Sequence, residues 1–517
     1  MSMRIGIDVG GTNTDAVVMD GAKVVGWFKT PTTPDASHGI ITALTKLLEQ
    51  TQVPKQKISA VMIGTTHFTN AVVERRRLLE VAAIRLALPA TETLPPMVDW
   101  PQDLSRVLGN HIYLVHGGHE FDGREIAPLD PQEIRDVAAD IRAKGIRSAA
   151  ISSVFSPVNA TMEEQAAEIL RSEIPDIYIS LSNQVGRLGL LERENATIMN
   201  AALQDLARRV AASFRDALSQ LDLNVPFYIS QNDGTLMSAD YAERYPVLTF
   251  SSGPTNSMRG AAFLSGLMDA MVVDIGGTTS DVGMLVHGFP REASVSVEIG
   301  GVRTNFRMPD VLSFGLGGGS LVRSHDGQVR IGPDSVGYQL TEKSLIFGGD
   351  TLTTTDIVAA AGLVDAGDPK RVADVDPQFV QQALDEIQRM VDVAVDRMKT
   401  SAAELPVVLV GGGAILVTGQ IHGVSEIVKP EQFAVANAIG AAIAQVGGEV
   451  DRVFSLEGQS RDQVLEAAKQ EARDKAITAG ASPETIQIVD VEDVPLSYLP
   501  GNAVRVRVKA VGDLTVE

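Results

Sequence analysis

The 517-residue sequence contains no cysteine. This absence excludes disulfide bonds, thiolate metal sites, iron–sulfur clusters and a cysteine nucleophile. Apolar runs of the roughly 18 residues that span a bilayer are also missing. Met1-Ser2-Met3-Arg4 leads directly into a strand-like segment instead of the apolar stretch of a signal peptide. We therefore expect a cytoplasmic protein that does not enter a membrane.

Basic residues are few compared with acidic ones. Forty-four Lys and Arg stand against 65 Asp and Glu, which gives a formal net charge of −21. Such a surface repels nucleic acid and anionic membranes, so the composition predicts no general role on DNA or RNA. The proportion of hydrophobic residues, 44%, is typical of a soluble globular protein, and the length suggests about three domains.

An eight-residue motif occurs twice in the chain. Residues 8–15 are Asp-Val-Gly-Gly-Thr-Asn-Thr-Asp, residues 274–281 are Asp-Ile-Gly-Gly-Thr-Thr-Ser-Asp, and five of the eight positions are identical. Each copy follows a β-type run and precedes another, which predicts a strand–glycine loop–strand hairpin. Two related hairpins predict two related domains, each beginning with the same structural unit.

The glycine pairs of these loops predict a phosphate site. Glycine allows consecutive backbone N–H groups to converge on an anion, and neighbouring hydroxyls can donate to phosphate oxygens. A carboxylate at the end of the first strand can hold Mg²⁺, and we assign this role to Asp8 and Asp274. Two loops that face each other would bind a polyphosphate from both sides. The predicted contacts are Gly10, Gly11, Thr12, Asn13, Thr14, Gly276, Gly277, Thr278 and Thr279.

Two other nucleotide-binding motifs do not match the glycine loops, and one structural alternative stays open. Neither copy has the lysine of a P-loop or the Gly-x-Gly-x-x-Gly pattern of a dinucleotide fold. A tight turn that merely needs glycine remains an alternative. Gly411, Gly412 and Gly413 follow a predicted strand and suit the close approach of adenosine, and a further cluster lies at residues 315–320. Close packing of core elements is the alternative for both of these clusters.

The remaining pattern predicts an α/β chain. Strands are predicted at residues 58–63, 247–250, 271–274 and 407–410, and a long helical stretch at 190–221, with Asn195 as the candidate for a break. From about residue 446 the chain predicts a small β-α-β-β extension that ends in an alternating strand.

The order of these motifs resembles the actin-like ATPase domain that sugar kinases, heat-shock chaperones and actin share. Within that superfamily the chain resembles the hydantoinase/oxoprolinase family, specifically its A-type, ATP-binding subunit, over roughly residues 3–440. The similar segments are residues 8–15, the Gly-Thr-Thr-x-x-x-Asn motif at 64–70, Glu74-Arg75, and residues 192–197, 231–238, 252–254 and 274–281.

This resemblance implies two actin-like (ribonuclease-H-like) lobes with a cleft between them. We expect lobes at residues 1–190 and 191–445 and the extension at 446–517. The implied activity is ATP- and Mg²⁺-dependent hydrolysis of a cyclic amide such as a hydantoin, 5-oxoproline or another lactam. The implied partner is a B-type subunit, and we also expect an oligomer. Where the family often has a histidine before a glycine-rich loop, this chain has Asp310-Val311-Leu312-Ser313-Phe314.

Several polar residues outside the two loops are candidates for catalysis or substrate binding. An amide resists water because resonance stabilises it, and transfer of phosphate from ATP to its carbonyl oxygen makes a better electrophile. His67 is a candidate general acid or base. The candidate substrate contacts are Thr65, Thr66, Asn70, Glu192 and Asn232.

Each of these candidates also has a purely structural interpretation. A helix cap would account for the loop at residues 65–67, and favourable contact of acidic residues with a helix dipole would account for Glu192. A turn before Gly234 would account for Asn232. The cluster of His111, His116, His119, Glu120 and Asp122 resembles a set of metal ligands but also fits a polar hairpin.

Two other functions stay open at this point. A small-molecule kinase would need a base beside a substrate hydroxyl, and Asp233 is the candidate. An actin-like ATPase that remodels or reactivates another protein would need a partner-binding domain, for which the extension is available.

Overall fold

The structure is a computed structural model that describes residues 3–32, 36–293, 297–305, 308–325, 328–496 and 502–515. It is an α/β protein, as the sequence predicts, with three larger sheets and two separate hairpins. The helices are α1 (Ala36–Thr51), α2 (His67–Glu74), α3 (Gln102–Val107), α4 (Pro131–Ala143), α5 (Thr161–Glu173), α6 (Ser182–Val185), α7 (Leu190–Ala202), α8 (Gln204–Gln220), α9 (Ala239–Arg244), α10 (Ser252–Ser265), α11 (Leu340–Lys343), α12 (Thr354–Ala360), α13 (Pro377–Met398), α14 (Ala436–Ile443) and α15 (Arg461–Thr478).

The largest sheet has nine strands. In chain order they are β1 (Met3–Val9), β2 (Asn13–Asp20), β3 (Lys23–Pro31), β4 (Ile58–Thr65), β9 (Phe227–Ser230), β10 (Thr235–Ser238), β21 (Gln445–Phe454), β22 (Gln487–Pro495) and β23 (Val504–Gly512). In space their order is β22-β23-β21-β10-β9-β4-β1-β2-β3. The first predicted hairpin, β1–β2, therefore lies near one edge of this sheet, and the C-terminal strands form the other edge.

The second predicted hairpin belongs to a second sheet. Its strands are β11 (Ala270–Ile275), β12 (Ser280–Val286), β13 (Phe289–Pro290), β16 (Val311–Phe314), β19 (Leu405–Val410) and β20 (Val424–Val428). The spatial order is β13-β12-β11-β19-β20, and β16 pairs with β12. One face of this sheet packs against α12 and α13 through a continuous apolar core. Both predicted hairpins are antiparallel pairs joined by their glycine loops.

A third, four-stranded sheet and two hairpins complete the strands. The sheet has the order β6 (His111–His116), β5 (Val81–Leu88), β7 (Ser148–Ser153) and β8 (Tyr178–Leu181), and all its pairs are parallel. It has its own core with α4 and α5. The hairpins are β14 (Val297–Ile299) with β15 (Val302–Thr304), and β17 (Ser320–His325) with β18 (Gln328–Ser335).

Helices α10 and α14 lie between the two hairpin sheets and pack closely against each other. A Cβ on Gly260 of α10 would lie 1.9 Å from the carbonyl oxygen of Ala436, and one on Gly440 of α14 would lie 1.8 Å from that of Asn256. α10 packs on the second sheet and α14 on β2 of the first, so this helix pair joins the two lobes.

The strand order does not follow the predicted boundaries at residues 190 and 445. Strand β9 pairs parallel to β4, and β10 pairs parallel to β21, so the first sheet continues across both positions. The C-terminal segment has the predicted β-α-β-β order but extends the sheet of the first hairpin. The division of the chain into units stays a prediction.

Two local predictions need correction. Residues 247–250 do not form a strand, because the chain from Pro246 to Thr249 forms a short 3₁₀ helix with proline in its first turn. The helical stretch at 190–221 breaks at Leu203, between α7 and α8. Within the described part of the chain, no helix combines the length and apolar character needed to cross a bilayer.

Candidate functional site

The two repeated glycine loops have the same internal geometry. The N–H of Gly10 donates to the carbonyl of Asn13 at 3.0 Å, and the N–H of Gly276 donates to the carbonyl of Thr279 at 2.9 Å. In each loop a backbone hydrogen bond thus closes a tight turn between two antiparallel strands. The sequence repeat is therefore also a structural repeat.

The two loops face each other and touch. Thr12 Oγ1 lies 3.2 Å from Thr278 Oγ1. A Cβ on Gly277 would lie 2.6 Å from Thr12 Cγ2, so the missing side chain of Gly277 allows this contact. The predicted facing arrangement is present, whereas the phosphate contacts stay a prediction.

Carboxylates lie directly behind the first loop. Asp8 is buried and accepts a hydrogen bond from Asn437 Nδ2 at 2.7 Å, while its Oδ1 has no partner among the described residues. Burial, together with the charges of Asp15 and Asp274, raises the pKa of Asp8 to about 7. Burial also raises the pKa of Asp15, although the Lys29 ammonium lies 2.8 Å from its carboxylate.

The second loop has the same pair of carboxylates. Burial raises the pKa of Asp274, although a hydrogen bond from Ser257 and the charge of Lys29 oppose the shift. Burial also raises the pKa of Asp281 to about 7, against a hydrogen bond from Ser313. The site therefore concentrates negative charge where water solvates it poorly.

The donor set behind the loops fits Mg²⁺. This ion prefers carboxylate oxygens and is usually held by one or two carboxylates together with substrate phosphates. Asp8 and Asp274 supply oxygens close enough for the charge of Asp274 to raise the pKa of Asp8, and Asp8 Oδ1 is a buried acceptor without a donor among the described residues. A divalent cation would relieve both features.

The third glycine cluster lies against Asp274. Strands β19 and β11 are parallel, with Val410 opposite Asp274. Gly411 has φ +84°, and a Cβ there would lie 2.2 Å from Asp274 Oδ1. A Cβ on Gly413 would lie 2.7 Å from the carbonyl oxygen of Gly276, while one on Gly412 would meet Lys29 Nζ only at 4.0 Å. These glycines bring the chain beside the second loop, where their role toward adenosine stays a prediction.

The cluster at residues 315–320 supports the second loop. The N–H of Gly318 donates to the carbonyl of Gly276 at 3.0 Å, and the N–H of Gly319 donates to that of Gly277 at 2.7 Å. A Cβ on Gly317 would lie 2.5 Å from the backbone nitrogen of Thr278. Close packing, one of the two interpretations that the sequence leaves open, describes this cluster.

The end of β4 lies beside the first loop. Parallel pairing places Gly64 opposite Asp8 and Thr65 opposite Val9. Thr66 Oγ1 is 3.5 Å from the carbonyl oxygen of Val9, and the Thr66 side chain does not cap α2, although it is at the N-cap position. Thr66 is therefore not a capping side chain, whereas Thr65 Oγ1 accepts from the N–H of His67, the first residue of α2, at 3.3 Å.

His67 is hydrogen-bonded within the same loop. Its Nδ1 lies 2.5 Å from Thr65 Oγ1. Burial, and then the charge of Arg77, lowers the pKa of His67. Asn70 is exposed, and its Nδ2 donates to Thr66 Oγ1 at 3.4 Å. The structure thus brings Thr65, Thr66, His67 and Asn70 together next to the first loop.

Asp233 has a different environment. It follows β9 and forms a buried ion pair with Lys509 of β23 at 2.9 Å. Burial alone would raise its pKa, but Lys509 and hydrogen bonds from Thr235 hold the pKa of Asp233 at about 2. A carboxylate with so low a pKa accepts a proton poorly, so the geometry favours a structural role. Its neighbour Asn232 is buried and lies on the wall of a cavity.

Glu192 lies apart from the two loops. It is on α7, where it lines a small depression with Val98 and Arg303.

In the histidine cluster, His111 and His116 each contact a different carboxylate outside the cluster. His111 Nε2 lies 3.1 Å from Glu80, and His116 Nδ1 lies 2.7 Å from Glu133. Among the described residues no group of three or more His, Cys, Asp or Glu side chains could hold a metal ion. The polar-hairpin interpretation of this cluster is therefore the better one.

Two protein-family models match the chain. The model described as the hydantoinase/oxoprolinase N-terminal region matches residues 4–174, and the model described as hydantoinase/oxoprolinase matches residues 193–450. Together they cover most of the chain. The chain belongs to the hydantoinase/oxoprolinase family.

Individual members of this family are similar over much of the chain. Caprolactamase subunit alpha of Pseudomonas jessenii is 26% identical over 396 residues, which cover 70% of this chain and 55% of that protein. Acetophenone carboxylase gamma subunit of Aromatoleum aromaticum is 26% identical over 399 residues, covering 70% and 53%. This chain thus spans about half the length of the curated relatives that it matches.

A solved family structure shows the same fold. The ATP-dependent caprolactamase of Pseudomonas jessenii superposes with a TM-score of 0.77 at 18% identity, covering 99% of this chain and 88% of that one. The actin-like two-lobe fold is therefore confirmed, and it includes the C-terminal strands.

The segment at residues 310–314 supports the second loop. Strand β16 pairs with β12 so that Ser313 is opposite Asp281, and Ser313 Oγ donates to that carboxylate. Asp310 forms an ion pair with Arg291 at 2.5 Å. This segment thus contributes a hydroxyl and a carboxylate, and the two hairpin sheets still meet at the loops.

Three residues of this hydantoinase/oxoprolinase site were not predicted. Lys29 on β3 pairs with Asp15, Asn437 on α14 binds Asp8, and Asn256 on α10 donates to Ser230 Oγ at 3.1 Å. Asn437 is the one polar side chain in the segment Ala-Asn-Ala-Ile-Gly-Ala-Ala-Ile, and that exception could have identified it. Lys29 and Asn256 lie in segments that contain other polar residues, so nothing in the local sequence marks them.

Proposed function

We propose that this chain uses ATP and Mg²⁺ to activate the carbonyl oxygen of a cyclic amide, so that the ring is hydrolysed. The balanced reaction consumes the amide, ATP and two waters, one to open the ring and one to release the phosphate, and yields the ring-opened amino acid, ADP and phosphate. Because the bridging oxygen, which was the amide carbonyl oxygen, leaves in the phosphate, the two waters supply both oxygens of the new carboxylate. The observation that carries the proposal is the contact between the two equivalent glycine loops, Thr12 to Thr278 at 3.2 Å, in front of buried carboxylates.

In this proposal the two loops bind the phosphates. Backbone N–H groups and the Thr12, Thr14, Thr278 and Thr279 hydroxyls are donors suited to phosphate oxygens. Asp8 and Asp274 would hold Mg²⁺ between them. When bound, ATP supplies the phosphoryl group and Mg²⁺ supplies positive charge against the triphosphate.

The loop beside the first hairpin would act on the amide. Phosphate on the carbonyl oxygen removes amide resonance and leaves the carbon open to attack by water. His67, which is hydrogen-bonded to Thr65, is the group in this loop that could take a proton from that water. Thr66 and Asn70 present a hydroxyl and an amide at the same place, which suits binding of the ring carbonyl and its nitrogen.

A partner subunit is part of the proposal. The similar caprolactamase and acetophenone carboxylase chains are named as subunits. We infer that a B-type subunit completes ring opening.

A second candidate is activation of a ketone. The similarity to a subunit of acetophenone carboxylase favours it. The loops would handle ATP in the same way, because a ketone also offers a carbonyl oxygen to the phosphoryl group.

Phosphate release from Mg·ATP tests both candidates. The purified chain is assayed alone and with hydantoins, 5-oxoproline, larger lactams, and ketones in the presence of bicarbonate. Asp274→Asn serves as the control for contaminating ATPase, and mass spectrometry follows the products. Stimulation by a cyclic amide that is lost in Asp274→Asn supports the main proposal, whereas stimulation by ketones alone supports the second. Release of a compound phosphorylated on a hydroxyl would instead indicate a kinase, and absence of ATP binding would refute the proposal altogether.

A further inference from the structure

A hairpin of the second lobe packs into the first lobe. Strands β14 and β15 lie in the chain between β13 and β16, which belong to the second sheet. Pairing of the two arms begins beside that sheet, where Glu292 forms an antiparallel bridge with Pro309. Ile299 and Val302, next to the hairpin turn, are buried in the apolar core of the first sheet. The second lobe thus contributes side chains to the core of the first.

The turn of this hairpin fits closely against the first lobe. Gly300 and Gly301 form the turn with φ +58° and +87°, and positive φ at both central residues is typical of a two-residue hairpin loop. A Cβ on Gly300 would lie 3.1 Å from Val72 Cγ1 of α2, and one on Gly301 would lie 2.7 Å from Pro101 Cγ. Glycine is therefore required both for the turn and for its contact with α2.

Arg75 binds this turn to the end of α2. It is the C-cap residue of the helix, with φ +55°. Its Nη1 donates to the carbonyl oxygen of Val73 at 2.7 Å, and its Nη2 donates to that of Gly300 at 2.8 Å. Its Nε donates to Asp103 at 2.9 Å. The planar guanidinium holds these three acceptors at once, which the single ammonium of a lysine does not do in the same geometry.

The position of α2 depends on such tertiary contacts. The helix has only eight residues, and an isolated helix of this length is not stable in water. Its buried face consists of Phe68, Ala71 and Val72, which pack in the same core as the hairpin. Packing of this face and the contacts of Arg75 at the C-terminal end therefore decide where the first turn of α2 lies.

The first turn of α2 carries the groups that the proposed function assigns to the amide. His67 is the first residue of the helix and Asn70 is the fourth, and both are hydrogen-bonded to the threonines beside the first glycine loop. A small shift of α2 would move the imidazole relative to a phosphorylated carbonyl group. Misplacement by about 1 Å can lower a reaction rate by about 10²-fold.

We propose that Arg75 is a positioning residue, which fixes α2, and with it His67 and Asn70, to the hairpin that the second lobe extends into the first. The inference rests on the proposed function, which gives His67 and Asn70 their roles, and adds to it the residue that places them. Among the described residues Arg75 makes no hydrogen bond or ion pair with either glycine loop, so nucleotide binding should not depend on it.

Reaction of His67 with diethyl pyrocarbonate tests this in the full chain without nucleotide or ring compound. The reagent acylates neutral imidazole, so the rate at His67, followed by peptide mass spectrometry across a pH series, reports both its exposure and its pKa. Arg75→Met removes the donors, and Arg75→Lys keeps the charge beside Asp103 without the guanidinium fork. Gly301→Ala displaces the turn from the side of the second lobe. Arg76→Met, at the exposed neighbouring position, is the matched control.

In the wild type, where burial is the main cause that lowers the pKa of His67, we expect slow reaction and a pKa below 6.5. In Arg75→Met, Arg75→Lys and Gly301→Ala the reaction should be about threefold faster or more, because local opening exposes the ring, and the pKa should rise toward 6.5. Arg76→Met should react like the wild type. Unchanged reaction of His67 in the Arg75 variants or in Gly301→Ala, or equal acceleration in Arg76→Met, would overturn the proposal.

Hydrolysis provides the second measurement. The kcat of ring-stimulated phosphate release should fall about 10²-fold in Arg75→Met, while the Kd of Mg·ADP stays unchanged. Weaker binding of Mg·ADP by this variant would place Arg75 in the nucleotide site and overturn the positioning role. If His67 responds to the substitutions as expected but no ring compound stimulates the wild type, the positioning role stands and the proposed function is overturned.

Discussion

Replacement of Asp8 by asparagine tests the charge balance of the site most directly. Asp8 is 4% exposed, and burial with the charges of Asp15 and Asp274 raises its pKa from 3.8 to about 7. Asparagine has the same shape and keeps an oxygen for the amide of Asn437. The substitution therefore removes one negative charge with little change in packing.

The expected gain in stability follows from the pKa. In the unfolded chain Asp8 ionises near pH 4, whereas in the folded chain it ionises near 7, so ionisation opposes folding increasingly from pH 4 to pH 7. At 1.36 kcal/mol per pKa unit, the cost is about 4 kcal/mol at pH 8 and about 2 kcal/mol at pH 5. The difference in unfolding free energy between Asp8→Asn and wild type should thus grow by about 2–3 kcal/mol from pH 5 to pH 8. The asparagine amide can also form stronger or weaker hydrogen bonds than the carboxylate. Any such contribution is the same at each pH, so it does not affect the growth of the difference.

Urea unfolding at pH 5, 6.5 and 8 measures the effect. Asp20→Asn, at the far end of the same hairpin, is the matched control and should show no such growth. Mg²⁺ should stabilise wild type more than Asp8→Asn, because the variant lacks one of the two proposed ligands. Hydrolysis of ATP should fall by about 10²-fold or more, since loss of one preorganised electrostatic contact costs that much in other enzymes.

Two results would refute this reasoning. If the stability difference does not grow with pH, Asp8 is not the strained carboxylate described here. If Mg²⁺ stabilises both proteins equally and hydrolysis persists, Asp8 does not hold the metal.

Three further substitutions test individual contacts. Lys29→Met removes the ammonium that lies 2.8 Å from the buried carboxylate of Asp15. It should lower the free energy of unfolding, measured with urea at pH 8, by about 2–3 kcal/mol. An unchanged free energy of unfolding would mean that water already solvates the Lys29–Asp15 pair. Gly411 has φ +84°, and a Cβ there would overlap with neighbouring atoms, whereas Gly145 has φ +68° and no atom within 4 Å of its added Cβ. Gly145→Ala should therefore lower the free energy of unfolding by about 1–2 kcal/mol, and Gly411→Ala by well over that amount. Equal losses of stability in thermal denaturation would contradict the overlap at Gly411. Asp233→Asn should cost about 3 kcal/mol at pH 7, because Lys509 stays buried without its counter-ion. Because the pKa of Asp233 is about 2, that loss should persist down to about pH 4 and shrink below it, and adding Lys509→Met should restore stability.

Local sequence was sufficient for the two hairpins. A glycine pair between β-type runs allows few conformations other than a tight turn, so the loops at residues 10–13 and 276–279 could be predicted without tertiary information. Local pattern was insufficient at residues 247–250, where an apolar run suggested a strand. Pro246 has no N–H to give to a sheet, and the segment folds into a 3₁₀ turn.

The pairing of buried carboxylates with particular distant side chains could not be predicted from the sequence. Asp233 looked like a candidate base because it stands in a polar turn, yet its partner Lys509 is 276 residues away in the chain. Lys29 and Asn437 reach the aspartates from a third strand and from a late helix. The composition of a segment carries no information about which distant side chain will neutralise it.

The sequence by itself determined that the chain carries two equivalent glycine loops on an α/β scaffold, because backbone freedom at glycine and the alternation of strand residues are local properties. Only the tertiary structure decided that Thr12 meets Thr278, that the glycines at 317–319 support the second loop, and that the C-terminal strands extend the sheet of the first hairpin. These are contacts between residues far apart in the chain, and their geometry exists only once α10 and α14 have packed the two sheets together.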